Sequence, residues 1–217
     1  MSLRLGEIHN WLYKQIMIIE EREVKLLTNF KEQYGKKVDP LTKQLREEYG
    51  QLKAEQPLEK LIGEEHIHPW LEEAITTAQT RETACVKKLV EEFSNETLLR
   101  KTYYKQGQEL AREIWQEKQE NNLELAFRAL KNNFLERMPC DRLSTIVINE
   151  ENKIVWRHHS KLHTEFWSEV DFSIKLMHQL YQIWIEGFME AINPAIKCQR
   201  QIEKDYYDDL FFWEEEG

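Results

Sequence analysis

Glycine and proline are scarce in this chain, seven and five among 217 residues, and cysteine is scarcer still, with three. So few chain breakers exclude a collagen-like or low-complexity polymer and leave long uninterrupted stretches free to form helix. Cys85, Cys140 and Cys198 are odd in number and far apart, with no Cys-x-x-Cys spacing, so neither a disulfide framework nor a zinc knot is expected. No apolar run approaches the ~18 residues of a spanning helix. The first residues lack the basic, then apolar, then small pattern of a secretory leader, and a cytoplasmic location is the expectation. Basic stripes are also missing. The formal net charge of −9, with Lys36/Lys37 and Lys87/Lys88 as single steps among acids, argues against nucleic acid and against an anionic membrane surface.

What is present is apolar and aromatic surface in quantity. Hydrophobic residues make up 41% of the chain, and seven Trp with nine Phe must be packed or bound. Ile8, Leu12, Ile16, Ile19, Leu26, Leu27, Phe30 and Tyr34 recur every three to four residues, which predicts a long amphipathic helix stopped by Gly35. Asp39-Pro40 reads as the cap and first position of a second helix through Leu52. The expected organisation is a helical hairpin extension over 1–56 and an α+β domain over 57–217, which could also run on as one continuous domain. An apolar face left open on that hairpin would suit self-association or docking of a partner, the non-enzymatic alternative for function.

The period changes after Pro139. Leu143–Ile148 and Lys153–Arg157 are β-branched runs separated by Asn149-Glu150-Glu151-Asn152, a hairpin. From Thr164, taken as the cap, a helical pattern apolar most of the way round predicts one core helix ending at Asn193-Pro194. Ala195–Ile202 and Leu210–Trp213 then form a second hairpin. The fold class predicted is α+β: a helix-rich N-terminal part and a C-terminal antiparallel sheet of about four strands, arranged hairpin, helix, hairpin and covered by the core helix.

Two histidine groups invite chemistry. Glu65-x-x-His68 has the spacing of a di-iron half-motif, but such bundles need two copies and Pro69 follows directly, so a solvated loop outweighs a metal site and no metal ligand is assigned. Arg157-His158-His159 with His163 and Glu165 is the richest polar cluster. Decoration of a strand end accounts for it more simply than a ligand site, yet it lies where a sheet and helix would enclose a pocket. No Gly-x-Ser-x-Gly elbow or phosphate-binding glycine loop is present.

The segment Gly107-Gln108-Glu109-Leu110-Ala111, the strand end Val155-Trp156-Arg157, the run Ile185–Pro194 with Gly187-Phe188 and Asn193-Pro194, and the closing Leu210-Phe211-Phe212-Trp213 together resemble the L-2-amino-thiazoline-4-carboxylic acid hydrolase-like family over about the second half of the chain. The resemblance implies the α+β fold and, in the family, hydrolytic opening of a thiazoline ring, here a hydrolase-like protein acting on a small cyclic amino-acid derivative. The family's cysteine-bearing stretches read Tyr181-Gln182-Ile183-Trp184, Tyr206–Leu210 and Ser160-Lys161-Leu162 in this chain, so its thiol-dependent catalysis is not carried over. The expectation is a small-molecule-binding, hydrolase-like domain without cofactor. His158, His159, His163 and Glu165 would be its polar lining and Trp156, Trp184 and Trp213 its apolar walls, with association into a homo-oligomer open to the chain.

Overall fold

A computed structural model describes residues 6–53, 56–62, 66–115 and 122–213. Contacts divide the chain into two compact units, one of residues 1–95 with 166–172 and the other of residues 96–165 with 173–217.

The first unit is helical. Helix α1 (Glu7–Tyr34) ends where Gly35 takes φ +65°, a left-handed conformation that costs glycine little, and its N–H returns to the Lys31 carbonyl. After a 3₁₀ turn, α2 (Asp39–Tyr49) starts one residue earlier than the Asp39 cap reading implied. Asp39 is its first helical residue, Val38 holds the cap position, and Pro40 needs no amide donor there. A short α3 (Leu58–Ile62) precedes α4 (Ile67–Phe93), which packs along α1, so the helical packing continues past residue 56. Its interior is partly ionic. Arg81 donates to Glu20 at 2.6 Å and to Glu23 at 2.7 Å, Arg22 to Glu82 at 2.5 Å, and Arg46 also reaches Glu23. Glu20, Arg22, Glu23, Arg81 and Glu82 are all buried. Arg81 also donates to the Gly50 and Gln51 carbonyls, which ties the α2 exit to α4.

The second unit joins α5 (Glu96–Ile114), α6 (Leu123–Asn133), β1 (Ser144–Asn149), β2 (Lys153–His159), α8 (Ile174–Ile192), β3 (Ile196–Ile202) and β4 (Tyr206–Trp213). Asn122 caps α6, its side chain accepting from the Glu124 and Leu125 amides. The strands form one antiparallel sheet of order β1-β2-β4-β3, as the α+β reading predicts. One face lies under α6 and α8, where Phe127 of α6 meets Trp156 and Phe211 edge-on or tilted at 5.4 Å.

The single core helix expected from Thr164 is two helices. Helix α7 (Lys161–Glu169) stops where Asp171 adopts φ +51°, and α8 begins after Ser173, whose hydroxyl accepts from the Leu176 amide at 3.2 Å. Apolar periodicity runs unbroken across Val170 and Phe172 and hides this break, which the short polar side chains of Asp171 and Ser173 create. Thr164 therefore caps nothing. Its hydroxyl bonds back to the Ser160 carbonyl inside α7.

Helix α5 crosses α8 at unusually close range, because both backbones carry glycine at the crossing. A Cβ on Gly107 would stand 2.2 Å from the Trp184 carbonyl oxygen, and one on Gly187 would stand 2.2 Å from that of Tyr104.

Candidate functional site

The alternation of β2, β3 and β4 places Trp156 and His158, Cys198 and Arg200, and Tyr207, Asp209 and Phe211 on the helix-covered face. Four of the residues singled out from sequence come together there around one ring. Phe134 lies 5.4 Å from Trp156, 6.1 Å from His158, 5.5 Å from His163 and 6.0 Å from Trp184, measured between ring centroids, and all four are buried. The other three lie apart from them. His159 is exposed at the β2 end, where its Nδ1 accepts from the Lys161 amide at the start of α7. Glu165 is exposed and paired with Arg137. Trp213 sits half-buried at the far end of β4, opposite Ile196.

The buried cluster is a polar core bonded unevenly: His163 uses both ring nitrogens, whereas the Trp156 Nε1 is buried with no hydrogen-bond partner among the described residues. His163 faces the Leu135 carbonyl through Nε2 at 3.0 Å and the Tyr207 hydroxyl through Nδ1 at 3.1 Å. A carbonyl only accepts, so the imidazole proton lies on Nε2 and Nδ1 accepts from tyrosine. Burial pushes His163 well below its ordinary value and outweighs the hydrogen bond to Leu135, which favours the charged ring. Burial, with the neighbouring Arg200 charge, likewise lowers His178 to about 3. Arg200 grips Asp209 with two bonds of 2.7 and 2.8 Å and lies over the Tyr207 ring at 4.6 Å. Burial alone would raise the Asp209 carboxyl, yet the Arg200 guanidinium holds it below the usual carboxylate range. His158 stacks on Tyr207 at 4.6 Å, with Nε2 3.2 Å from Asp209 and Nδ1 3.7 Å from Glu136.

A cleft opens beside this core, along the β3 edge. Its volume is about 680 Å³, and its lining includes Tyr104 of α5, Glu186 and Glu190 of α8, and Lys197 and Cys198 of β3. Glu186 and Glu190 stand one turn apart on the same helix face. Their hydrogen-bond donors are neutral: Gln182 donates to Glu186 at 2.8 Å, and the Tyr104 hydroxyl to Glu190. Burial raises the Glu186 carboxyl, while the bond to Glu190 pushes Tyr104 up to about 12. Cys198 adjoins Arg200 and Asp209 on the same strand face, and burial, followed by the Asp209 and Glu186 charges, keeps its thiol protonated. A protonated thiol is a weak nucleophile.

Sequence reasoning passed over Arg200, Asp209, His178, Glu186, Glu190 and Tyr104. The available signal was parity: Arg200 shares the inward register of Ile196 and Cys198, and Asp209 that of Tyr207 and Phe211, so charges recur where apolar residues are expected. Of the Glu65-x-x-His68 pair, Glu65 lies outside the described residues, and His68 is in the first turn of α4, after His66 at the N-cap position. Among the described residues no group of three or more His, Cys, Asp or Glu is placed to hold a metal ion, the three cysteines are free, and no helix is long and apolar enough to cross a membrane. Comparison with known proteins finds no matching family model, curated protein or solved structure.

Proposed function

We propose that the second unit is a small-molecule-binding, hydrolase-like domain whose ligand lies in the cleft formed by Tyr104, Glu186, Glu190, Lys197 and Cys198. The observation that carries this reading is the cleft itself. Its volume of about 680 Å³ falls within the roughly 300–1,000 Å³ of ligand pockets. Its polar groups converge from two helices and a strand. Two carboxylates held by neutral donors favour a ligand that brings a cationic group, and Tyr104 with Phe212 supplies aromatic surface beside it.

The resemblance to the L-2-amino-thiazoline-4-carboxylic acid hydrolase-like family supports the same reading, since the glycine-bearing segments quoted for it, around Gly107 and Gly187, are those that bring α5 and α8 together above the cleft. On this reading the buried cluster of His158, His163, Trp156 and Trp184 is the rigid floor that fixes Asp209 and Arg200, and through them Cys198. It does not touch the ligand. The protonated Cys198 fits binding without the family's thiol chemistry.

The test is calorimetric titration of the full chain with L-2-amino-thiazoline-4-carboxylate and with amino acids of similar size, repeated on Glu186→Gln. Saturable heat that weakens by about tenfold or more in the variant, the loss of one charge-assisted contact, supports the assignment. Absence of binding across the series, or equal affinity in the variant, refutes it.

A further inference from the structure

The spacing Glu65-x-x-His68 draws notice to His68, and the structure gives that residue a partner from another helix. Helices α1 and α4 carry His9 and His68 in their first turns, and there the two imidazoles meet. Their ring centroids are 5.3 Å apart, edge to face, and their Nε2 atoms 3.2 Å apart. Tyr13, one turn along α1 from His9, packs on Trp70, two residues beyond His68, with centroids 6.1 Å apart and both side chains buried. That packing holds the two helix starts, and so the two histidines, in place. His68 is exposed and His9 half-buried, which leaves the outer side of the pair open to solvent.

We propose that His9 and His68 form a two-histidine site for a divalent transition-metal ion of the zinc type, each ligating through Nε2, with water completing the coordination. The spacing fits. Two nitrogens bound at ~2.0–2.1 Å to a tetrahedral zinc ion stand about 3.3–3.4 Å from each other, close to the 3.2 Å found here. The last side-chain torsion of histidine has a broad minimum, so a small swing of each ring turns both lone pairs to one point on the solvent side. The protons fit as well. His9 Nδ1 accepts from the Gly6 amide at 3.1 Å, so its own proton lies on Nε2 and is donated to His68 Nε2, which already presents a lone pair. The ion takes the place of that shared proton: the His9 proton moves to Nδ1, the Gly6 amide turns to water, and both rings ligate in their neutral form. Imidazole ligands suit zinc, copper and nickel, whereas magnesium and calcium take oxygen. With two protein ligands the site is open and exchangeable, and the bound ion clasps the starts of α1 and α4.

Calorimetric titration of the untagged, chelator-stripped full chain with zinc chloride tests this, alongside thermal midpoints with and without zinc. Binding should saturate at a single ion per chain, and the midpoint should rise with zinc and fall back with chelator. Magnesium should leave the midpoint unmoved. His9→Gln and His68→Gln should each weaken binding by at least the roughly 10–100-fold that loss of a supporting outer-shell group costs. His68 is exposed, so its variant should keep the circular dichroism spectrum of the wild type. His66→Gln and His159→Gln, at exposed histidines outside the pair, should bind zinc as the wild type does. No saturable zinc binding, an affinity indifferent to His68→Gln, or a loss of binding in His66→Gln or His159→Gln instead would each overturn the proposal.

Discussion

Gly107 of α5 and Gly187 of α8 are reciprocal halves of one contact: each leaves room for a carbonyl of the opposite helix, Trp184 and Tyr104 respectively. Both helices also line the cleft, through Tyr104 from one and Glu186 and Glu190 from the other. Their separation therefore sets the width of the cleft as well as the packing of the unit.

Alanine at either glycine cannot be accommodated by a side-chain shift, because the obstacle is backbone. Gly187→Ala should cost at least the usual overpacking penalty of about 1–3 kcal/mol. Chemical denaturation monitored by circular dichroism measures it. A midpoint unchanged from wild type would mean that the helices do not approach this closely.

Two Arg–Asp pairs on adjacent residues of β4 should behave differently. Asp209→Asn leaves Arg200 charged and buried with half its partnership gone, and breaking such pairs costs roughly 3–5 kcal/mol. Asp208, itself buried, binds Arg157 with two bonds of 2.8 Å on the opposite sheet face, where the arginine is 38% exposed and solvent screening makes the loss smaller than for the enclosed Arg200 pair. Parallel denaturation of Asp209→Asn and Asp208→Asn should separate widely. Equal midpoints would contradict the burial argument.

The first unit offers an independent case. Arg81→Met removes the partner of Glu20 and Glu23 together, leaving buried carboxylates with reduced compensation, and should destabilise by about 3–5 kcal/mol. Replacing Glu21, the exposed partner of half-buried Lys25 on α1, should cost well under 1 kcal/mol. Hydrogen exchange across α1 and α4 reads the loss where it occurs.

Acid should weaken the second unit before its carboxylates titrate. His163 and His178 are held neutral when folded, His178 down to about 3, while in the unfolded chain both take protons near the ordinary value of about 6.5. A depressed folded value means that the unfolded state binds more protons, so the stabilisation is complete above pH ~6.5 and is lost as pH falls below it. Asp209, also held low, adds loss of the same sign further down, as pH falls through the carboxylate range. Thermal unfolding midpoints should fall from pH 7.5 to 5, and His178→Gln should flatten that slope. A flat or rising profile in the wild type would contradict the buried neutral histidines.

Much of this fold was legible in the sequence, for physical reasons that also explain the gaps. The first strand pair declared itself through β-branched runs and a polar turn, and the helix ends at Gly35 and Asn193-Pro194 through conformations that few residues tolerate. The last strand reads in sequence as starting at Leu210, but β4 starts at Tyr206, because the polar run Tyr206–Asp209 that looks like turn pairs with β2 and β3. The break between α7 and α8 was hidden because Val170 and Phe172 extend the apolar period while Asp171 and Ser173 turn the chain. The candidate site was half legible. Residues close in sequence, His158 and His163, drew notice together and do meet. The cleft instead brings Tyr104 of α5 to Glu186 and Cys198, far from it in sequence, and the glycines at the helix crossing read in sequence only as weak helix formers.

The measurement closest to the central claim is an amide chemical-shift map of the full chain titrated with L-2-amino-thiazoline-4-carboxylate. Saturable shifts should concentrate at Tyr104, Glu186, Glu190, Lys197 and Cys198, with His158 and His163 little moved beneath them. No saturable shifts, or shifts centred on the α1 and α4 helices, would contradict a ligand site in this cleft.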